Sequence, residues 1–236
     1  MDNLTGADGG LRELALFAGA GLGLLATASL GWKTVCAVEL DWYCRCVLTQ
    51  RQNDGSLGPF PIWDDIRTFD GRAWRGIIDV VSGGFPCQAY STAAAGKNNA
   101  DDLWPEMRRI VADAAPRYVF AENVSREAID FAADDLEKMA YKTRCISLEA
   151  RDMGGDHVRE RFWLLAYSHD KGQLRRHINA KMAELPELRE GVWKSGPGIY
   201  GVDDGDSYRV ERFKAIGNGQ VPCVAAAALF MLANSI

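Results

Sequence analysis

Residues 14–23 read LALFAGAGLG, a short apolar run that leads into a turn with three glycines. Such a turn between a buried strand and a helix is typical of an open α/β sheet, because glycine lets a ligand approach the backbone closely. Glu39 ends the next apolar run, at a spacing where a carboxylate can accept both hydroxyls of a ribose. The pattern G-x-G-x-G differs from the G-x-G-x-x-G of dinucleotide sites, so a nucleoside without a pyrophosphate fits at least as well. A tight strand–helix turn without a ligand is the other interpretation.

The rest of the chain extends this α/β pattern. Apolar runs alternate with segments of helical period up to residue 168, which predicts a mostly parallel sheet flanked by helices. The predicted strands cover residues 14–18, 34–39, 78–82, 118–122, 142–148 and 162–166. The predicted helices cover residues 22–30, 42–51, 103–114, 126–139 and 222–234, with a short helix near 176–185. We expect one domain made of residues 10–168 and 208–236, interrupted by a small insertion at 169–207.

Composition excludes some classes of protein. Of the 236 residues, 47% are hydrophobic and 25% are charged, which is ordinary for a soluble globular chain. No run approaches the roughly 18 apolar residues of a membrane helix, and the N-terminus lacks a signal pattern, so we expect a cytoplasmic protein. The six cysteines form no C-x-x-C pair and there are three histidines, so we expect free thiols and no metal site. The net charge is −5, so nucleic-acid binding would depend on a local basic face and not on the charge of the whole surface.

A cysteine follows one of the predicted strands. Residues 80–91 read VVSGGFPCQAYS, so the strand delivers Cys87 to its carboxyl end, where ligands bind in open α/β sheets. A lone cysteine is more often a small buried apolar side chain. The sequence Pro-Cys-Gln is typical of a loop, however, and not of a buried core. This favours Cys87 as a nucleophile.

Three further segments carry polar groups. Residues 120–124 read FAENV, and a buried glutamate with a raised pKa at Glu122 can donate a proton to a ring nitrogen. A helix N-terminal carboxylate is the alternative interpretation of Glu122. Residues 157–161 read HVRER and are by themselves a surface charge cluster. Residues 216–222 read IGNGQVP and predict a turn before the final helix.

In this order the segments resemble the signatures of the DNA (cytosine-5)-methyltransferase family: F-x-G-x-G, Pro-Cys-Gln, Glu-Asn-Val, R-x-R and G-N-x-x-x-P. The likeness extends from Phe17 to Pro222. It implies a Rossmann-like methyltransferase fold with S-adenosylmethionine as the methyl donor. It also implies double-stranded DNA as the partner and a cytosine flipped out of the duplex. The cofactor would be bound by Phe17, Gly19, Gly21, Glu39, Asp65, Ile66, Pro86 and Asn218.

The resemblance also implies roles for the catalytic and DNA-contacting residues. Cys87 would attack carbon-6 of the cytosine, Glu122 would act at ring nitrogen 3, and Arg161 would bind the ring carbonyl with Arg159 in support. A lid at residues 88–101 would close over the DNA with Gln88 and Ser91. The basic residues of the insertion, Lys171, Arg175, Arg176 and Lys181, would contact phosphates, and a solvated face is the alternative interpretation of them.

The sequence departs from the family pattern in three places. Residues 154–158 read GGDHV where the family has Gly-Val-Pro-Gln-Arg, and Leu40 follows Glu39 where an aromatic ring can stack on adenine, a role that Trp42 could take instead. The 169–207 insertion is far shorter than a usual target recognition domain, as expected for a compact bacterial or phage enzyme. Three alternatives stay open: the same chemistry on RNA or a free cytosine nucleotide, a non-catalytic regulatory homologue, and a nicotinamide-dependent oxidoreductase.

Overall fold

The computed structural model of the chain describes residues 10–86, 102–155, 158–169, 171–184 and 209–235. Over these ranges the strands are β1 (Arg12–Leu16), β2 (Lys33–Val38), β3 (Ile62–Trp63), β4 (Val80–Gly84), β5 (Tyr118–Asn123), β6 (Lys142–Leu148) and β7 (Arg161–Tyr167). They form one sheet of order β3-β2-β1-β4-β5-β7-β6, in which β7 runs antiparallel to both neighbours and the other pairs are parallel. The predicted α/β fold with a mostly parallel sheet is confirmed.

Helices cover both faces of the sheet. In the described ranges they are α1 (Leu22–Ser29), α2 (Trp42–Asn53), α3 (Trp104–Ala114), α4 (Arg126–Lys138), α5 (Gly172–Glu184), α6 (Arg209–Asn218) and α7 (Pro222–Asn234), with 3-10 turns at Ile66–Thr68, Gly71–Trp74 and Ala150–Met153. Alternate side chains of a strand face opposite sides. In β5, Val119 packs with α3 and α4, whereas Phe120 packs with α7. The central strands β1, β4, β5 and β7 are therefore buried on both faces, as their continuous apolar runs predicted, whereas the edge strand β6 is largely exposed.

Short polar side chains set where the helices begin. Ser125 caps α4, because its hydroxyl accepts a hydrogen bond from the backbone N–H of Ala128 at 3.2 Å. Asp41 caps α2 in the same way through the N–H of Cys44 at 3.1 Å. These caps turn the chain at the carboxyl ends of β2 and β5, and so hold that edge of the sheet in place.

The six predicted strands are all present, and none is displaced by more than two residues. β3 was not predicted, because two residues are too short to show a period. Helix α6 was not predicted either: the segment from residue 216 was assigned to a turn, whereas α6 continues through Asn218 and the turn covers residues 219–221. The final helix begins at Pro222, as predicted.

Helix α5 lies within the segment assigned to the insertion. Its residues Leu174 and Ile178 are both fully buried in the core beside α7. Met182 packs against the same cluster. These apolar residues recur every four positions and so form one helical stripe. The insertion at 169–207 stays a prediction, and residues 185–208 lie outside the described residues.

The C-terminal helix belongs to the core. Residues Lys214–Asn234 are long and apolar enough to cross a membrane by length and composition alone. In the fold, α7 packs between α1, α5 and the sheet, and eight of its residues are buried. Burial of this kind explains the apolar composition, because a helix covered on most sides needs few polar residues.

Glu13 is a fully buried carboxylate in the middle of β1. It accepts hydrogen bonds from the hydroxyls of Ser82 at 2.6 Å, Thr27 at 2.8 Å and Thr34 at 3.1 Å. Burial raises the pKa of Glu13, and the three hydroxyl donors only partly offset this. The folded protein therefore holds a proton on Glu13 more tightly than the unfolded chain does.

We expect Glu13→Gln to raise the melting temperature relative to the native chain at pH 8, and to raise it less or not at all near pH 4. A folded-state pKa above the unfolded value contributes stability at low pH that is lost as the pH rises through it. Glutamine is neutral and removes this loss. Thermal melts of both chains from pH 4 to pH 8 measure the effect, with the exposed Asp134→Asn as control. A difference in melting temperature that stays constant with pH would contradict the expectation.

Candidate active site

A cleft of about 730 Å³ opens at the edge of the sheet where β1, β2, β4 and β5 end. Its volume lies within the range of roughly 300–1,000 Å³ that is usual for cofactor sites. Parallel strands end at a common edge, so residues far apart in sequence meet there. Seven of the predicted site residues line this cleft: Phe17, Gly19, Glu39, Pro86, Glu122, Arg161 and Asn218.

The glycine turn after β1 is tied directly to the end of β2. The backbone N–H of Gly19 donates to one oxygen of Glu39 at 2.6 Å, and the N–H of Asp41 donates to the other at 2.7 Å. Burial raises the pKa of Glu39, and the two backbone donors oppose the rise. The carboxylate is thus locked in one orientation, with acceptor capacity left on each oxygen for a diol.

The backbone of the glycine turn is locally strained. Phe17 has a φ of 53°, in the left-handed region that a non-glycine residue enters at a cost of about 1–3 kcal/mol. Gly21 also has a positive φ, and a Cβ there would lie 2.8 Å from the Leu48 side chain. Gly21 therefore allows α1 to approach α2, and it is not among the cleft-lining residues. Its contact with a cofactor stays a prediction.

The remaining predicted cofactor residues lie apart from the cleft lining. Ile66 is buried in the core with Phe69, and Asp65 caps the 3-10 turn by accepting from the N–H of Arg67 at 2.9 Å. Of the two candidates for stacking on a base, Leu40 lines the cleft, and Trp42 is not among the lining residues. The adenine contacts of Asp65 and Ile66 stay predictions.

Glu122 is the buried carboxyl group of the site. It lies near the end of β5 with 7% of its surface exposed. One carboxyl oxygen pairs with Nε of Arg161 at 2.9 Å, and the other accepts from the side-chain amide of Gln220 at 3.3 Å. Burial raises the pKa of Glu122, whereas Arg161 opposes the rise. A carboxyl group held in this way keeps its proton to a higher pH than a carboxyl group in water does.

Arg159 connects the site to the C-terminal turn. Its guanidinium donates to the carbonyl oxygens of Gly217 at 2.6 Å and Gly219 at 2.7 Å, on either side of Asn218. Burial and the nearby charge of Arg161 lower the pKa of Arg159, but an arginine so shifted is still a cation at neutral pH. Arg159 therefore holds the segment that carries Asn218 against the cleft.

We expect Arg159→Ala to weaken cofactor binding about tenfold, since the turn at Asn218 loses both hydrogen bonds of its charged partner. Isothermal titration with S-adenosylhomocysteine measures the dissociation constant. Arg144→Ala removes an exposed arginine from β6 and serves as the matched control. An unchanged dissociation constant in Arg159→Ala would show that the hydrogen bonds of Arg159 do not support the cofactor pocket.

The predicted nucleophile follows a well-anchored strand end. Asn123 donates its amide to the carbonyl oxygen of Phe85 at 2.8 Å, and Phe85 packs against Trp104 with a ring distance of 5.1 Å. The carbonyl oxygen of Pro86 accepts from the N–H of Leu103 at 3.3 Å. Pro86 lines the cleft. The next residue, Cys87, lies outside the described residues, as do Gln88 and Ser91.

Comparison with known proteins agrees with this geometry. A family model described as C-5 cytosine-specific DNA methylase matches residues 11–201. The chain belongs to the C-5 cytosine-specific DNA methylase family. Among curated relatives, the type II methyltransferase M.HhaI of Haemophilus parahaemolyticus is 29% identical over 171 residues, covering 68% of this chain and 50% of the relative. M.NgoMIV of Neisseria gonorrhoeae is 28% identical over 168 residues, covering 67% and 52%.

Solved structures show the same fold. A mutant of Spodoptera frugiperda DNMT2 superposes with a TM-score of 0.54 at 18% identity, covering 66% of this chain and 50% of that chain. The S. pombe Dnmt2 methyltransferase superposes with a TM-score of 0.53 at 20% identity, covering 68% and 52%. The chain spans about half the length of the curated relatives that it matches.

C-5 cytosine-specific DNA methylases use S-adenosylmethionine, and the residues of the cleft fit this cofactor. Glu39 presents a fixed carboxylate for the ribose hydroxyls, and the backbone at Gly19 and the Asn218 turn border the same space. The bound cofactor supplies an electrophilic methyl group on sulfur. Among the described residues, no three His, Cys, Asp or Glu side chains gather in a possible metal cluster.

The predicted phosphate contacts lie at the other edge of the sheet. On α5, Nε2 of His177 is 2.9 Å from the carbonyl oxygen of Leu30, and the Lys181 stem packs against Gly31. Leu30 follows α1, which begins next to the cleft and runs about 12 Å over its eight residues towards the opposite edge of the sheet. The structure therefore does not bring Arg175, Arg176 and Lys181 together with the cleft. Their contact with DNA stays a prediction.

Two polar residues at the site were missed in the sequence. Gln220 lies within the glycine-rich turn before α7 and reaches Glu122. Lys214 of α6 pairs with Asp41 at 3.0 Å and lines the cleft. A polar side chain between a glycine and an apolar helix start was the available signal for Gln220. Nothing in the sequence spacing indicated the pairing of Lys214 with Asp41.

Proposed function

We propose that this chain transfers the methyl group of S-adenosylmethionine to carbon-5 of cytosine in DNA. The observation that carries the proposal is the buried Glu122, paired with Arg161 at the cofactor cleft, on the strand next to the one that leads to Cys87. In the register of β4 and β5, Gly84 lies opposite Glu122. Cys87 comes three residues after Gly84. We propose that a pyrimidine ring lies between Cys87 and Glu122 and contacts both.

The chemistry requires a covalent step, because carbon-5 of cytosine is a poor nucleophile. In our proposal the thiolate of Cys87 forms a bond to carbon-6, and the ring electrons make carbon-5 nucleophilic. Carbon-5 then forms a bond to the methyl group as the bond between that methyl group and the donor sulfur breaks, so S-adenosylhomocysteine leaves. A base removes the proton from carbon-5, and the bond between Cys87 Sγ and carbon-6 breaks to restore the aromatic ring. The net change is one hydrogen replaced by one methyl group.

Glu122 and Arg161 support the addition step in this proposal. The raised pKa of Glu122 allows its carboxyl group to protonate ring nitrogen 3 as Cys87 attacks. Arg161 keeps that carboxyl group oriented and provides positive charge next to the ring carbonyl. Both effects lower the energy of the dearomatised ring, and neither stabilises the free substrate to the same extent.

Duplex DNA is the proposed substrate, and the target cytosine leaves the helix, because carbon-6 is inaccessible inside a base pair. Residues 88–101, with Gln88 and Ser91, are the proposed lid over the DNA. Since α5 belongs to the core, we propose that residues 185–208 form the recognition insertion of the catalytic domain. The relatives are type II methyltransferases of bacteria, and we propose that this chain acts in the cytoplasm of a bacterial or phage-infected cell.

The test is a transfer assay with S-adenosylmethionine labelled on the methyl group. Duplex DNA, transfer RNA and deoxycytidine monophosphate are offered in parallel, and bisulfite sequencing locates the product in DNA. We expect label in duplex DNA on cytosine only. Label that enters RNA or the nucleotide alone would overturn DNA as the substrate, and no label in any arm would overturn the proposed activity.

A further inference from the structure

Gln220 contacts Glu122 from the side opposite Arg161. Its amide Nε2 is 3.3 Å from Oε2 of Glu122, whereas Nε of Arg161 is 2.9 Å from Oε1. The carboxyl group therefore has one partner on each oxygen. Gln220 lies on the turn between α6 and α7, and Arg159 anchors that turn through the carbonyl oxygen of Gly219.

Two glycines make room for the Gln220 side chain. A Cβ at Gly23 would lie 2.7 Å from Oε1 of Gln220, which is closer than such atoms approach in proteins. A Cβ at Gly84 would lie 2.6 Å from Oε2 of Glu122 and 3.4 Å from Nε2 of Gln220. Any larger residue at these positions would displace the amide or the carboxyl group. The side chains of Gln220 and Glu122 thus lie in a narrow slot between α1, which carries Gly23, and β4, which carries Gly84.

A small cavity lies behind the pair. Its volume is about 70 Å³, and it is lined by Glu13, Ser82, Glu122 and Gln220 among others. A space of this size holds a few water molecules at most, since each needs roughly 10–15 Å³ of such volume. Among the described residues, Gln220 is the side chain that hydrogen-bonds the Glu122 oxygen on this side.

We propose that Gln220 is a positioning residue for the methyl transfer, which holds the Glu122 carboxyl group in place in both its charged and its protonated form. An amide suits this task because it carries a donor and an acceptor. Its N–H₂ group donates to the carboxylate, and after rotation its oxygen accepts from the protonated acid. This role rests on the proposed function of Glu122 as the proton donor.

Other charges also act on Glu122, and the test must separate them from Gln220. Arg161 contacts it directly, and Arg159 lies close enough to lower its pKa. Glu13 faces it across the cavity, and Glu39 and Lys214 line the cleft in front of it. All five remain in place when only residue 220 is changed, so a shift in the titration of Glu122 reports on Gln220.

The test compares three variants that alter this contact. Gln220→Met keeps the length of the side chain and removes the hydrogen bond, Gln220→Glu adds a like charge, and Gly23→Ala pushes the amide away from its slot. Gln50→Met, on the exposed face of α2, is the matched control. Two quantities are measured: the titration of Glu122 by carbon-13 NMR of labelled glutamate, assigned with Glu122→Gln, and the pH profile of kcat on duplex DNA.

We expect Gln220→Met to raise the pKa of Glu122 by about half a unit to one unit, because the hydrogen bond of Gln220 to the charged carboxylate is stronger than its hydrogen bond to the protonated acid, so the charged form loses more. Gln220→Glu should raise it further, since two adjacent carboxylates share a proton. The alkaline limb of the pH profile of kcat should move by the same amount. The plateau value of kcat should fall roughly tenfold, whereas the dissociation constant for S-adenosylhomocysteine should change less than about threefold. Gly23→Ala should resemble Gln220→Met, and Gln50→Met should match the native chain.

An unshifted Glu122 titration in both Gln220 variants would overturn the positioning role, whatever happens to activity. A fall in kcat that is matched by an equal loss of cofactor affinity, with an unmoved alkaline limb, would overturn it too. The NMR titration needs no substrate, so it tests Gln220 even in a chain that fails to methylate DNA. Such a failure, together with a shifted titration, would refute the proposed function alone and leave the contact between Gln220 and Glu122 intact.

Discussion

Cys87→Ala is expected to abolish methyl transfer to DNA, with a loss on the order of 10⁴-fold or more, because in the proposed mechanism the Cys87 thiolate forms the bond to carbon-6. Binding of S-adenosylmethionine should stay within about twofold of the native chain, since Glu39 and the Asn218 turn are untouched. The labelled-methyl assay and isothermal titration measure the two effects. Cys46→Ala, which removes an exposed cysteine from α2, is the matched control.

A trapping experiment examines the same bond directly. Duplex DNA with 5-fluorocytosine at the target lacks the proton that must leave carbon-5, so the adduct cannot resolve once the methyl group is transferred. We expect a covalent protein–DNA band on a denaturing gel with the native chain and with Cys46→Ala, and none with Cys87→Ala. Methylation by Cys87→Ala, or a trapped band with it, would show that another group is the nucleophile.

Glu122→Gln is expected to lower kcat by roughly 10²- to 10⁴-fold at neutral pH, the usual contribution of a positioned acid. The amide preserves the size of the side chain but cannot give a proton to ring nitrogen 3. The native chain should lose activity as the pH rises through the raised pKa of Glu122, because the protonated form is the active one. This alkaline limb should be absent from the residual activity of Glu122→Gln.

The matched control is Glu160→Gln, an exposed glutamate next to Arg161 in sequence. It should retain the native rate and the native alkaline limb. Rates of trapped-adduct formation should fall in Glu122→Gln as well, since protonation assists the attack of Cys87. An alkaline limb that persists in Glu122→Gln would assign that titration to a different group.

Much of the candidate site could be predicted because its residues lie at the ends of strands. Glycine turns and polar residues after apolar runs indicated Gly19, Glu39 and Glu122 without any knowledge of the packing. A parallel sheet brings such residues to one edge whatever the loop lengths are. The order of the five motifs then led to the family that the comparisons confirmed.

The position of the basic residues of α5 could not be predicted from charge. Leu174 and Ile178 pack one face of that helix at the edge of the sheet opposite the cleft, and the DNA contact of Arg175 and Arg176 stays a prediction. A helix turns about 100° per residue, so three apolar positions decide which face packs, and the charges occupy what is left. Where those charges lie relative to the cleft depends on where strand β7 ends. The charge pattern gives no information on the end of that strand.

By itself, the sequence determined the sheet and the glycine turn, and it predicted roles for Cys87, Glu122 and Arg161, since these depend on local periodicity and on motifs at strand ends. Only the tertiary structure decided what surrounds Glu122. Gln220 meets Glu122 across 98 residues of sequence, and Arg159 reaches Gly217 across 58. Contacts between residues so far apart in sequence depend on how α1 and α7 pack on the sheet. The contact of Gln220 also requires Gly23 and Gly84, because these glycines leave the space that its side-chain amide occupies.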